Sequence, residues 1–378
     1  LRASRRRAIT IDPTATAGDP GGSARPEPPA LAALRARIDV ALGRALDRAL
    51  PRIEASHPSV AEVTAELRSF TDGGKRIRPA LLLLGFEAAG GDGPTTVEGP
   101  ALALELLHTC ALVHDDVIDQ AATRRGRASV HHAAAERHRA AGWSGDADAY
   151  GRAVAILIGD LAFVLADELF LAAEVPDQEL LAAFRWFTTL REEVMVGQYL
   201  DLQAATARLT ERALAIEIAT LKSGRYSVAR PLEIGARLAG AGEELVTGLR
   251  AFGDPLGRAF QLADDLLGVF GDAEETGKST SSDLAEGKRT LLIAEAVERL
   301  DGAELARLEE ALGRDDLDAA TTAELRELLI ACGARDAILA QISAYIDEAR
   351  AALDGLSLPA GSRTSLSAVA DYLGERSR

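Results

Sequence analysis

Cysteine, methionine and aromatic side chains are scarce in this 378-residue chain, which has two cysteines, one methionine and 4% aromatics. Two cysteines, Cys110 and Cys332, cannot build a disulfide framework. That excludes the small, disulfide-stapled secreted class and indicates a reducing cytoplasm. With so few rings, the core must be made of Leu, Ala, Val and Ile within a hydrophobic share of 47%. Long apolar runs are also missing. The best candidate, AVAILIGDLAFVLADELFLAA, is broken by Asp160, Asp167 and Glu168, so no membrane-spanning helix is expected. Positive charge is in deficit. A net charge of -16 argues against a nucleic-acid surface and suits a protein that holds multivalent cations in acidic clusters.

Sustained apolar/polar alternation is absent, whereas segments rich in Ala, Leu, Glu and Arg recur, which favours helix. Residues 1–30 hold five of the 14 prolines and show no helical period, so they read as a disordered tail. Residues 31–378 read as one all-α domain, a bundle of helices around a central cavity. The first helix is expected from Leu31 until Pro51 interrupts it. Further helices are expected over 97–119, 153–175, 177–205, 210–240 and 243–270, with shorter ones following.

Against this background two acidic clusters stand out. ALVHDDVID ends an apolar run in Asp115, Asp116 and Asp119, which share one helix face at three- and four-residue spacing. QLADDLLGVFGD repeats the pattern with Asp264 and Asp265. A solvated acidic face would not follow a buried stripe. Two such clusters facing each other across a bundle offer hard oxygen ligands for Mg²⁺, which commonly shares its shell with substrate phosphates. Basic residues are gathered in short motifs: Arg124 and Arg125 in RRG, Lys75, Arg76 and Arg78 in GGKRIRP, Lys222 in LKSGR, and Lys278, Lys288 and Arg289 in TGKSTSSDLAEGKRT. Any one of these cations alone reads as surface, but together they read as anion sites. GDAEETGKST lacks the glycine and the preceding strand of a phosphate loop. HHAAAERH, with His131, His132 and His138, lacks zinc spacing and reads as a polar helix surface.

Six motifs in order, GGKRIRP, LLHTCALVHDDVID with RRGRASVH, GQYLDL, LKSGRYSVARPLEIGA, FQLADDLLGVFGD and TGKSTSSDLAEGKRT, resemble the trans-isoprenyl diphosphate synthases, the polyprenyl synthetase family. The likeness runs from about Leu31 to the C-terminus and is nearest to actinobacterial geranylgeranyl diphosphate synthases. It implies head-to-tail (1'-4) condensation of isopentenyl diphosphate with an allylic diphosphate. About three Mg²⁺ ions are implied, with Mn²⁺ able to substitute. Asp115, Asp119 and Asp264 are implied as metal ligands, with Asp116 and Asp265 as ligands or their supports. Arg124, Lys222, Lys278 and Lys288 would hold the allylic diphosphate, and Gln198 and Gln261 would contact the allylic substrate or shield its cation. Lys75, Arg78, His108 and Arg125 would bind isopentenyl diphosphate. A homodimer is also implied.

The chain departs from the family pattern at two positions. Gly268 stands where the second motif usually ends in Asp, and Ala128 stands where RRGxP has proline. Activity is expected to survive the first, and the second is expected to alter a turn but not the phosphate contacts. Product length is expected to depend on Ala111 and Cys110, four and five residues before Asp115, with Leu107 and Leu106 one turn deeper. One turn rises about 5.4 Å, close to one isoprene unit. Small residues at 110 and 111 argue against a C15 stop, and the resemblance favours C20, with longer products open. Two rival readings share the fold. A class I terpene cyclase would need no isopentenyl diphosphate site, and a non-catalytic partner subunit would be expected to lose the aspartates.

Overall fold

A computed structural model describes residues 27–93, 95–271, 282–314 and 316–374. Sixteen α-helices are described. They are α1 (Pro29–Glu54), α2 (Ala61–Thr71), α3 (Ile77–Ala88), α4 (Glu98–Ile118), α5 (Val130–Ala140), α6 (Ala147–Phe170), α7 (Asp177–Ala207), α8 (Arg212–Ile218), α9 (Arg230–Leu238), α10 (Glu243–Phe270), α11 (Ser282–Ala285), α12 (Leu291–Arg299), α13 (Gly302–Ala311), α14 (Ala319–Ala331), α15 (Ala334–Asp354) and α16 (Ala360–Gly374). A π-helical stretch, Ala219–Ala229, joins α8 to α9. The described strands, β1 (Thr123–Arg124) and β2 (Arg127–Ala128), form one small hairpin. The all-α expectation holds, and no single described helix is long and apolar enough to cross a membrane.

The elements depart from the sequence expectation in three ways. α1 starts at Pro29, inside the span read as tail. It also passes through Pro51 and ends at Glu54. Proline removes one N–H and crowds the carbonyl four residues back, but Asp47 is exposed and the last turn accommodates the change. The segment expected as one helix over 210–240 is instead divided by the π-helical stretch.

Two apolar cores share one helix. The larger unites α1, α3, α4, α6, α7 and α9, with Leu81, Leu104, Leu106, Phe170, Phe187 and Phe252 fully buried. The smaller gathers α12 to α15. α10 serves both: Val246, Leu249 and Phe252 pack into the first core, and Leu262, Leu266 and Val269 into the second. This fixes α10 on two sides and sets the position of Asp264 and Asp265.

The π-helical stretch lies against α7 and α10 at backbone contact. A Cβ on Gly197 would overlap the backbone of Lys222, and one on Gly257 would overlap the Gly224 carbonyl. Gly257→Ala should therefore cost about 1–3 kcal/mol through overpacking. Urea unfolding checks this, with the midpoint moving to lower urea and the slope unchanged.

Candidate active site

A cavity of about 820 Å³ opens among α3, α4, α7, the π-helical stretch, α10 and the turn after α11. Asp115, Asp264 and Asp265 line it together, so the two acidic motifs do share one site. Both lie near helix C-terminal ends, since α4 ends at Ile118 and α10 at Phe270. Carbonyls there already carry partial negative charge, so the carboxylates deepen a negative potential.

Several cations compensate in part. Lys222 Nζ lies 2.6 Å from Asp201 Oδ2 and 3.7 Å from Asp115 Oδ1. Hydrogen bonding from each residue to the fifth before it brings residues four and five apart onto one face. Ile218, Ala219, Lys222, Ser223, Tyr226 and Ser227 accordingly all face the cavity. Arg124 Nε donates to Asp116 Oδ1 at 2.8 Å, and Arg124 Nη2 lies 3.4 Å from Asp115 Oδ2. Lys288 Nζ lies 3.3 Å from Asp283, 2.5 Å from Glu286 and 3.8 Å from Asp119.

The hairpin explains the arginine pair. Arg125 and Gly126 both have positive φ, 53° and 71°, the pattern of a two-residue type I′ turn. Arg124 pairs with Arg127 across it. Ser129 N–H donates to the Ala122 carbonyl at 3.0 Å, so the N–H of residue 128 faces away from the ladder. Proline and alanine both fit there, and the Ala128 departure leaves the turn intact.

Compensation at the acidic pole is incomplete. Asp119 Oδ2 is buried without a hydrogen-bond partner among the described residues. Burial, reinforced by Asp115, raises the Asp119 carboxyl to about 7. Burial, reinforced by Asp283, raises Asp265 to about 8, although Gln261 Nε2 donates to Asp265 Oδ1 at 2.7 Å. These hard oxygen donors fit Mg²⁺. Among the described residues no three carboxylate, imidazole or thiol groups converge as a ready cage. A cation held here would thus complete its shell with water and ligand oxygens, as Mg²⁺ commonly does.

The opposite pole is basic. Lys75, Arg78, His108 and Arg125 line the same cavity. The Arg78 guanidinium lies 4.2 Å over the Tyr226 ring, and its Nη2 donates to Ser227 Oγ at 2.8 Å. Arg78 Nε, His108 Nδ1 and Tyr226 Oη are buried with no hydrogen-bond partner among the described residues. Burial, then the charges of Arg78 and Arg125, hold His108 well below its usual range, so its imidazole is neutral. Unmade hydrogen bonds cost about 1–3 kcal/mol per buried group. Three of them together at one end of a cavity mark a place for a polar ligand.

Not every expected residue has the expected surroundings. Arg76 is a structural cation: it is buried and bonded to Asp39, Glu105 and the Thr71 carbonyl at 2.6–2.8 Å. Arg289 is held by Glu309 at 2.7 Å. Gln198 lines the cavity and donates to Asp115 Oδ1 at 3.1 Å. Asp116 is fully buried against Arg124 rather than facing the cavity. Ala111 lines the cavity, whereas Cys110 turns toward His114 at 3.7 Å and Leu107 packs in the core. Lys278 lies outside the described residues, as does most of GDAEETGKST. His138 is buried against Trp143 and Tyr150 rather than on a polar surface.

Sequence reading missed Asp201, Tyr226, Ser227 and Asp283, all of which line the cavity. Asp201 follows Gln198 by one helical turn within GQYLDL, and Asp283 shares a motif with Lys288, so both carried a usable signal. Tyr226 and Ser227 carried none, because their orientation depends on the π-helical stretch.

Asp119 and Asp265 bind protons in the folded protein above the pH where the unfolded chain has released them. Their contribution is complete below the ordinary carboxylate range and is lost as pH rises through about 7 and about 8. Metal-free protein should melt progressively lower between about pH 4 and about pH 8, the window those shifts define. In Asp265→Asn the slope should flatten. Melting curves across that range check both.

The sequence profile of the polyprenyl synthetase family matches residues 61–329. A short chain isoprenyl diphosphate synthase of Methanothermobacter thermautotrophicus is 32% identical, over 85% of this chain and 94% of that protein. A geranylgeranyl diphosphate synthase of Methanosarcina mazei is 32% identical, over 80% and 85%. Among solved structures, geranylgeranyl pyrophosphate synthase from Corynebacterium glutamicum, complexed with isoprenyl diphosphate and magnesium, superimposes with a TM-score of 0.88 at 35% identity. The match covers 92% of this chain and 99% of that one.

Proposed function

Because the chain belongs to the polyprenyl synthetase family, we propose that its cavity joins isopentenyl diphosphate head to tail to an allylic diphosphate, with geranylgeranyl diphosphate as product. The enzyme is a trans-prenyltransferase of an Mg²⁺-dependent family. The observation that carries the assignment of roles is the polarity of the cavity, with under-compensated carboxylates at one pole and partnerless donors at the other.

Asp115, Asp119 and Asp264 would hold about three Mg²⁺ ions at the acidic pole, with Mn²⁺ able to substitute. Bound there, Mg²⁺ supplies Lewis-acid stabilisation of a departing diphosphate. Asp116 orients Arg124, Gln198 orients Asp115 and Gln261 orients Asp265, through the hydrogen bonds each makes. Lys222 and Lys288, each already beside an aspartate, would donate to phosphate oxygens on the allylic substrate, and Arg124 and Lys278 would assist. At the other pole Lys75, Arg78, His108 and Arg125 would receive the diphosphate of isopentenyl diphosphate.

Ala111, Leu112, Val194, Ile218 and Phe260 give the same cavity an apolar wall. The C4 carbon attacks the allylic cation there, out of reach of water that would quench it. The departing diphosphate then takes the proton whose loss completes the condensation. A terpene cyclase would leave the basic pole, and its three partnerless groups, without a ligand.

We also propose a homodimer. α6 exposes Ile156, Leu157 and Val164, and α7 exposes Met195, Val196, Tyr199 and Leu202, apolar side chains at helical spacing. A cytoplasmic setting is consistent with the two free cysteines.

Incubation with Mg²⁺, labelled isopentenyl diphosphate and C5 to C20 allylic diphosphates should yield a C20 alcohol after dephosphorylation. Hydrocarbon release from an allylic diphosphate alone, without label, would move the protein to the cyclases. Lys75→Ala should raise KM for isopentenyl diphosphate far more than KM for the allylic substrate, by roughly 10-fold or more for a lost charge-assisted contact. An equal effect on both would undo the two-pole assignment. Ala111→Phe should shorten the product, as read by chromatography.

A further inference from the structure

Asp115 sits close to the end of its helix. α4 stops at Ile118, less than one turn further on, and a helix end lacks the N–H groups of a following turn to hold it. Val113 is fully buried and Val117 packs against the core, so this turn is pressed onto its neighbours by apolar contact. Such contact resists separation but has little direction. The directional tie from this turn to α6 comes from the residue between Val113 and Asp115.

Successive helix side chains lie about 100° apart, and His114 is turned onto α6 while Asp115 faces the cavity. Both ring nitrogens are engaged. Nε2 lies 3.1 Å from the Ile156 carbonyl oxygen and 3.7 Å from Asp160 Oδ1. A carbonyl only accepts, so Nε2 carries a proton. Nδ1 is then left to accept, and it meets Cys110 Sγ at 3.7 Å, one turn back on α4. Burial pushes that thiol up to about 12, so it keeps its proton and donates. α6 also leaves room for the ring. A Cβ on Gly159 would overlap its Nε2 and Cδ2. A ring bonded at both nitrogens cannot swing clear of that position without giving up a hydrogen bond.

We propose that His114 is a positioning residue: seated at Gly159 and bonded to the Ile156 carbonyl, it sets the rotation of the last turn of α4 and so the direction from which Asp115 meets the cation and diphosphate of the acidic pole. The bond to α6 does this work, and the ring's volume alone does not. The inference rests on the prenyltransferase reading of the cavity.

The test separates volume from bond with three variants of the full chain. His114→Phe keeps a ring and donates nothing. The amide of His114→Gln stands as many bonds from the backbone as Nε2 and donates to Ile156. The amide of His114→Asn stands where Nδ1 does and falls short of α6. Calorimetry reads the Mg²⁺ dependence of binding of an unreactive allylic thiolodiphosphate, with condensation and melting curves in parallel. His114→Phe and His114→Asn should need roughly 10-fold more Mg²⁺ for half-maximal binding, the lower end of what disturbing the support of a metal ligand costs. KM for isopentenyl diphosphate, received at the other pole, should not change, and His114→Gln should bind as wild type does. Should His114→Phe not fold, the Gln and Asn variants decide between them. Wild-type Mg²⁺ dependence in folded His114→Asn, or a His114→Gln as impaired as His114→Asn, overturns the proposal, and a lowered melting temperature with unchanged Mg²⁺ dependence reduces His114 to packing. If the wild type binds the analogue with Mg²⁺ but never incorporates isopentenyl diphosphate, the prenyltransferase reading fails instead.

Discussion

Negative charge crowded at the C-terminal ends of two helices is the constraint on which this structure depends. Asp115, Asp116 and Asp119 close α4, and Asp264 and Asp265 stand near the end of α10, where the backbone already presents carbonyls. Such an arrangement folds only if cations are brought to it. The chain brings Arg124 on a hairpin, Lys222 on a π-helical stretch and Lys288 on a Schellman-capped turn. Each of these irregular elements exists in order to deliver a cation to a place regular helices do not reach. They still fall short, as the raised carboxyls of Asp119 and Asp265 show. In the proposed function that remainder would be met by divalent cations and the diphosphate they carry.

The basic pole obeys the converse logic. GGKRIRP divides its three cations between two tasks. Arg76, in the left-handed conformation at φ 51°, spends its guanidinium on Asp39, Glu105 and the Thr71 carbonyl. That network ties α1, α3 and α4 together and fixes the loop. Lys75 and Arg78, on either side, are turned to the cavity. The structural cation between them is what allows its neighbours to present unspent donors to a ligand without the loop collapsing onto a carboxylate.

How much of this was legible in the sequence depended on whether the signal was local. Helix periodicity and the spacing of Asp115 to Asp119 are local, and from them the all-α class was legible, along with an acidic cluster whose Asp115 lines one cavity with Asp264 and Asp265. The role of Arg76 was not, because its partners lie 37 and 29 residues away in the chain. The orientation of Tyr226 and Ser227 was hidden for another reason. A π-helical stretch follows from glycine contacts between backbones, at Gly197, Gly224 and Gly257, and leaves no periodicity of its own. Pro51 misled because propensity describes helix interiors, and Pro51 sits in a final turn.

The same distinction bears on product length. Ala111 and Cys110 are adjacent in sequence and both small, yet they differ in what they face. Cys110 is directed to His114, and its thiol is pushed up to about 12 by burial and by Asp160, which marks it as a packed, neutral group. Ala111 alone of the pair looks into the cavity from α4, one turn below Asp115. Under the proposed function, a growing chain whose diphosphate is held at Asp115 would meet residue 111 first, so volume added there would intrude on the chain directly. Volume added at residue 110 must first displace the α4–α6 packing around His114 and reaches the chain only indirectly. Under the proposed function, length control by this helix would therefore reside in one position, and a bulky residue at 110 would act through stability before it acted on product.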